Sequence, residues 1–314
     1  MPQRSVLITG CSSGIGLASA KAMHGRGWRV FATARKLEDL ARLTALGLEA
    51  LPLELRDPVS VDACGRAALE RTDGKLTALF NNAAHGQPGA VEDLPVERLR
   101  DQFEVNLFSW HALTRPIVAA MRKNGGGRIV NCSSVLGLIS PPYRGAYNAS
   151  KFALEALTEA MRHELAGTGI HVSLIEPGPI ATNFVETALA LFRKNIDIEA
   201  SAHREVYQRR IAAMSAGGSQ TFKLPSEAVA AKLVHALESS RPKVRYYVTV
   251  PTYLAVAANR LLPQILKDRM VRVDVTLAVL IVFFGMRFAK TKKMMPMGMM
   301  AILTAVTLAL RHVL

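Results

Sequence analysis

Between residues 4 and 250, short apolar and β-branched runs alternate with longer stretches whose apolar positions recur at helical spacing. RSVLIT, WRVFATA, LEALPLEL, LTALFNN, GRIVNCSS, IHVSLIEP and KVRYYVTV predict seven strands, several of them apolar throughout. A strand that is apolar on both faces belongs inside a parallel sheet covered by helices. Residues 96–123 and 147–166 carry an amphipathic pattern and predict helices. The alternation predicts an α/β protein: a Rossmann-type doubly wound parallel sheet of about seven strands with helices on both faces. Two stretches, 86–95 and 180–222, read as loops. In an open α/β sheet ligands bind beyond the carboxyl ends of the strands, where both would emerge.

Composition changes this picture mainly at the end of the chain. Half of the 314 residues are apolar, enough for a sizeable core and too many for a disordered chain. Cys11, Cys64 and Cys132 are too few and too scattered for a disulfide framework, and they point to a reducing compartment, the cytoplasm. The eight histidines form no ligand spacing, so no metal is expected. MPQRSVLITG has too short an apolar run for a secretory signal and reads as a first strand. The net charge of +14 sits largely in the tail: from residue 241 on, twelve Lys and Arg face two Asp, a balance of +10. The first 240 residues are nearly neutral, which argues against a nucleic-acid partner.

The tail also holds uncharged runs at 275–286 and 294–310, separated by Arg287, Lys290, Lys292 and Lys293. At ~1.5 Å per residue the longer run spans ~25 Å, short of a hydrocarbon core of ~30 Å. A segment lying in one leaflet, its basic cluster on the cytoplasmic side, fits better than a spanning helix. A tail that packs on a partner subunit is the alternative. The expected division is therefore a catalytic domain over 1–252 and a basic, apolar extension over 253–314.

Three motifs carry chemistry. The first βα turn reads Thr9-Gly10-Cys11-Ser12-Ser13-Gly14-Ile15-Gly16. Glycines there permit a tight turn and let a pyrophosphate approach the backbone at a helix N-terminus. After the second strand comes Ala34-Arg35-Lys36. Ala34 offers no carboxylate to a ribose 2′-hydroxyl, whereas Arg35 can grip a 2′-phosphate, which favours NADP(H) over NAD(H). Taken alone, Arg35 reads first as a solvated arginine at a strand end, and the other motifs turn the reading toward NADP(H). The third motif, Tyr147-Asn148-Ala149-Ser150-Lys151, puts a tyrosine and a lysine one helical turn apart on one face. Ser134 precedes it by thirteen residues, at the end of the fifth strand. Asn81-Asn82-Ala83 ends the fourth strand, and Asn106 lies in the helix that follows.

Over about residues 4 to 250 this order and spacing resembles the short-chain dehydrogenase/reductase family. GCSSGIG, ATARK, EPGPIATNF and YNASKFAL look most similar to the 17β-hydroxysteroid and retinol dehydrogenase branch and its bacterial relatives. The resemblance implies that Tyr147 is the general acid–base, with Ser134 hydrogen-bonding the same substrate oxygen. A phenol near its ordinary pKa of about 10 is a poor base at neutral pH, and a Lys151 ammonium beside it should lower that value. The family's lysine also holds the nicotinamide ribose, and Asn106 would support a water relaying protons from Lys151. By the same resemblance Asn81 and Ala83 serve the cofactor side, and Pro177, Gly178, Ile180 and Thr182 cover the nicotinamide. Glu54, with Leu55, stands where the family places an acidic residue beside adenine, one methylene longer here. Ala84 stands where the family's NNAG motif has glycine, and the chain runs some sixty residues past the family's usual end.

Apolar residues around the site, Leu136 and Phe184 among them, favour a lipophilic alcohol and its ketone or aldehyde, of steroid, retinoid or long-chain type. A 3-oxoacyl-type reductase and a non-catalytic membrane-attached NADP-binding scaffold are the alternatives. Sugar-nucleotide epimerases share the tyrosine–lysine spacing but have a different glycine spacing. A homodimer is expected.

Overall fold

Four consecutive apolar or small residues with no outward-facing polar position can only be covered on both sides, and Ser5–Ile8 form the fully buried strand β1. The computed structural model describes residues 3–216, 222–261 and 263. Around β1 lie β2 (Arg29–Ala34), β3 (Glu49–Pro52), β4 (Ala78–Asn81), β5 (Gly127–Cys132), β6 (Ile170–Glu176) and β7 (Arg245–Tyr247). They form one parallel sheet in the order β3-β2-β1-β4-β5-β6-β7, as the alternation of elements predicts. Val6 pairs with Val30 on one side and with Ala78 on the other, so the strand order reverses beside β1. Such a switch point opens a crevice at the carboxyl ends of the strands.

The helices that cover the sheet are α1 (Gly14–His24), α2 (Leu37–Ala45), α3 (Pro58–Glu70), α4 (Val96–Phe103), α5 (Ser109–Lys123), α6 (Gly145–Glu164) and α9 (Glu227–Glu238). Local chemistry marks their ends. Asp57 caps α3 by accepting from the Val59 N–H at 3.0 Å, and Pro58 occupies the first turn, where its missing N–H costs nothing. The packed core includes Phe31, Phe80, Trp110 and Ile117, each essentially inaccessible.

Two differences from the sequence pattern matter for the site. Residues 96–123 do not form one regular helix: α4 passes into α5 through a π turn, Glu104–Phe108, with Asn106 buried within it. Period alone does not reveal a one-residue bulge in an otherwise continuous amphipathic pattern. The stretch 180–222, read as a loop, contains α7 (Phe184–Asn195) and α8 (Arg204–Ser215). These helices cover a small separate core of Ala90, Phe192, Ile196 and Tyr207. Tyr207 ties the 86–95 loop to that core by accepting from the Ala90 N–H at 2.8 Å and donating to Asp93. The chain divides between Tyr253 and Leu254. The helix α10 (Val250–Leu261) is the last described element, so both apolar runs of the tail lie outside the described residues.

Candidate active site

A cavity of about 840 Å³ opens at the carboxyl ends of the strands, at the switch point. Its dinucleotide end is shaped by glycines where a Cβ has no room. Gly10 (φ 74°) lies where an added Cβ would come within 2.7 Å of Ala83 Cβ, and at Gly14 (φ 54°) it would come within 2.9 Å of Thr182 Cγ2. Gly16 lies behind the wall, and a Cβ there would sit 2.0 Å from the Gly10 carbonyl oxygen. Ser12, Ser13, Gly14 and Ile15 line the cavity where α1 begins, so a helix N-terminus faces it. Thr33 holds the turn in place: its hydroxyl accepts from the Gly10 N–H at 3.0 Å and its carbonyl from the Cys11 N–H at 2.7 Å. This cradle has the shape and donors for a pyrophosphate.

Arg35, exposed at the end of β2, lies 3.8 Å from Glu54, and both line the cavity with Leu55. Ala83, Pro177, Gly178, Ile180 and Thr182 line it as well. Gly178 is required by close approach, because a Cβ there would meet Thr249 Oγ1 at 2.1 Å. Asn81 does not reach the wall. Its amide donates to Asn131 at 2.9 Å and Thr114 at 3.0 Å, bracing β4 against β5 and α5. The neighbouring Asn82 lines the cavity and donates to the Thr9 carbonyl at 3.0 Å. Alternation along a strand sends neighbouring side chains to opposite faces, so a motif of paired asparagines does not say which one faces the ligand.

The reactive end is built on the face of α6 that carries Tyr147 and Lys151, together with the turn after β5. Tyr147, Ser134 and Lys151 line the same cavity, with relative exposures of 9%, 9% and 1%. Ser134 caps a single turn of 3-10 helix, Val135–Gly137, and accepts from the Leu136 N–H at 3.1 Å, which fixes its orientation. Lys151 donates to the Cys132 carbonyl at 2.7 Å and its ammonium lies 4.7 Å from the Trp110 ring centroid. Burial lowers the ammonium's pKa to about 8, against the opposing effects of Cys132 and Glu155.

Lys151 does not depress the phenol as the spacing suggested. Burial pushes the Tyr147 hydroxyl well above its ordinary value, and the groups that oppose this rise are Ser134 and the charge of Arg144. The lysine instead points its proton at the Cys132 carbonyl. Asn106 is not on the cavity wall either. Its amide spans from the His85 carbonyl at 2.9 Å to the Ser150 hydroxyl at 3.2 Å, and its carbonyl oxygen accepts from the His85 N–H. The π turn thus fastens the segment after β4 to α6. Leu136 and Phe184 both line the cavity, and the Phe184 ring meets Tyr147 edge-on at 5.4 Å.

Several lining residues were not singled out from the sequence, among them His85, Asn82, Arg98, Arg144, Lys194 and Asn195. Arg144 had a signal, standing one helical turn before Tyr147. Lys194 and Asn195 had none, because only the folding of α7 over the sheet brings them there. Among the described residues no group of three or more His, Cys, Asp and Glu could hold a metal ion.

Comparison with known proteins agrees with this architecture. Residues 4–190 match the family model of the short chain dehydrogenases, and residues 244–310 match a model described as transmembrane proteins 14C. The chain is 42% identical to an uncharacterized oxidoreductase of Escherichia coli, YbbO, over 86% of this chain and 94% of that protein. It is 35% identical to human 17-beta-hydroxysteroid dehydrogenase type 1, over 79% and 78% of the two chains. Identity to an NADPH-dependent 3-dehydrocapnine reductase of Ornithobacterium rhinotracheale is 32%, over 85% and 95%. A Burkholderia phymatum short-chain dehydrogenase/reductase solved with NAD superposes with a TM-score of 0.69, at 28% identity over 82% and 92%. The actinorhodin polyketide ketoreductase solved with NADPH does so at 0.64, with 30% identity over 78% and 95%. With its parallel sheet, its glycine-lined cradle and its buried tyrosine and lysine on one wall, the chain belongs to the short-chain dehydrogenase family and is an oxidoreductase of that type.

Proposed function

We propose that the chain is an NADP(H)-dependent oxidoreductase that interconverts a lipophilic alcohol and its ketone or aldehyde, of steroid, retinoid or long-chain type. The observation that carries this is the meeting of Tyr147, Ser134 and Lys151 with apolar Leu136, Phe184 and Leu191 in one cavity. Bound nicotinamide supplies or accepts the hydride. Tyr147 donates its proton to the carbonyl oxygen; burial raises its pKa and so keeps the phenol in the protonated form that can donate. Ser134 hydrogen-bonds the same oxygen. Lys151, brought to about 8 by burial, carries its ammonium 5.6 Å from the Tyr147 ring and can exchange a proton near neutral pH. Asn106 serves the site by positioning the 85–86 segment and α6.

NADP preference is supported by Arg35 beside Ala34, with Ser12 close by on the same wall. The names of relatives include one NADPH-dependent reductase, while one solved neighbour holds NAD. A 3-oxoacyl-type reductase is the second reading, favoured by the likeness to the polyketide ketoreductase. The functional unit is proposed to be a homodimer. We further propose that residues from 253 onward touch the cytoplasmic face of a membrane, which the match of residues 244–310 to a transmembrane family supports. Among the described residues no helix is long and apolar enough to cross a membrane. Sedimentation with anionic liposomes tests this: the full chain should pellet with them, and a chain that stays in the supernatant refutes the contact.

Turnover tests the central reading. On a substrate found by a panel of ketones and aldehydes, Tyr147→Phe should lose about 10²–10⁴-fold in kcat with NADPH affinity retained. Near-normal turnover by that variant would remove Tyr147 from its role.

A further inference from the structure

The charge around the cavity is unevenly matched. Its two acids, Glu54 and Asp101, are both engaged: Glu54 lies 3.8 Å from Arg35, and Asp101 accepts from Arg56 at 2.5 Å. Lys151 is committed to the Cys132 carbonyl. Arg144 lines the cavity, and among the described residues no carboxylate pairs with it. Arg144 is exposed where it lines the cavity, so its guanidinium is accessible to a ligand.

A second cation stands beside it. Arg210 stacks over the Tyr143 ring at 4.3 Å, is itself desolvated, and feels the repulsion of Arg144. Two guanidinium groups close enough to repel, with no carboxylate partner for Arg144 among the described residues, cost free energy in the unliganded protein. An anion placed between them would reverse that cost. Arg144 is held firmly for such a role: it is the N-cap of α6, its carbonyl accepts from the Asn148 N–H at 2.9 Å, and its backbone bridges to Gly89. One helical turn separates it from Tyr147, so its side chain and the reacting oxygen share a neighbourhood. Leu136, Phe184, Leu191 and Met214 add apolar surface to the wall, beside the polar Lys194 and Asn195.

We propose that the substrate of this site is an amphiphile with an apolar chain and an anionic head group, a carboxylate or sulfonate, within a few bonds of the reacting carbon. Arg144, backed by Arg210, binds the head group and so sets the substrate's register on Tyr147. This inference rests on the oxidoreductase reading and narrows its substrate class.

The full-length protein loaded with NADPH provides the test. Turnover is compared for 3-oxododecanoate and its methyl ester, and binding, by NADPH fluorescence, for decanoate and decanesulfonate against decanol. The acid should exceed the ester at least tenfold in kcat/KM, and both anions should bind at least tenfold tighter than the alcohol. Arg144→Met should bring both ratios toward one, and Arg144→Lys should keep part of each. Ratios near one in the unmodified protein, or ratios that Arg144→Met leaves unchanged, overturn the anion site. Ester and acid turned over equally well would leave the oxidoreductase reading standing while the anion site falls. Arg144-dependent binding of the anions without turnover of any oxo compound would do the reverse.

Discussion

Gly16 offers the sharpest test of how the dinucleotide cradle is built. A Cβ at this position would lie 2.0 Å from the Gly10 carbonyl oxygen, 2.7 Å from the Gly10 carbonyl carbon and 2.9 Å from Asn82 Nδ2. Overpacking a core costs ~1–3 kcal/mol when side chains can yield. Here the obstacle is backbone, in a glycine already at φ 74° whose N–H is held by the Thr33 hydroxyl and whose neighbour Cys11 donates to the Thr33 carbonyl, so the upper end applies. About 3 kcal/mol in a domain of this size lowers Tm by roughly 6–12 °C. Any relaxation must push α1 away from the Gly10 turn, and the N-terminus of α1 is the wall that would face the pyrophosphate. Gly16→Ala should therefore also weaken NADPH binding by at least tenfold, read by NADPH fluorescence alongside a thermal melt. Gly25→Ala is the control, because its Cβ would meet the Lys21 carbonyl at 3.4 Å and the Ala22 carbonyl at 3.9 Å, ordinary contacts in helical backbone. That change should be neutral or stabilise by ~0.4–1 kcal/mol. A Gly16→Ala protein that melts within about 1 °C of the unmodified chain and binds NADPH equally well would refute the account.

Two further outcomes follow from the structure. Exchanging the end of β2 by Ala34→Asp with Arg35→Ala should move cofactor preference at least tenfold toward NAD(H), ~1.4 kcal/mol, measured as the ratio of kcat/KM values; equal efficiency with both cofactors before the change would sink the NADP assignment. Glu176 is fully buried with Arg245 and Glu155, and burial first, then the Glu155 charge, pushes its pKa from 4.5 up to about 8. The native state therefore keeps a proton that the unfolded chain releases between those values, so this group's contribution to stability falls as pH rises from 4.5 to 8. Glu176→Gln should flatten that fall in urea melts across this range, and an unchanged pH slope would exclude the retained proton.

Much of the molecule follows from local sequence. Seven strands could be located because buried parallel strands are apolar on both faces, and that pattern depends on no particular neighbour. The placement of the candidate residues was equally local: Tyr147 and Lys151 share a helix face by spacing alone, and the Gly10–Gly16 turn is constrained by backbone geometry within a few residues. Tertiary structure decided what depends on approach between distant segments. Whether Asn81 or Asn82 met the cavity was settled by the pleat of β4 against β5. The helices α7 and α8 gain their order by burying Phe192 and Tyr207 against Ala90, a contact across more than a hundred residues that the weak local pattern of 180–222 does not announce. Lys151 was turned toward the Cys132 carbonyl, and the Tyr147 hydroxyl was raised, by burial, which belongs to the packed core as a whole. The unpaired charge of Arg144 is of the same kind: the residue is plain in the sequence, but that no carboxylate among the described residues pairs with it is decided only by how the elements around the cavity pack.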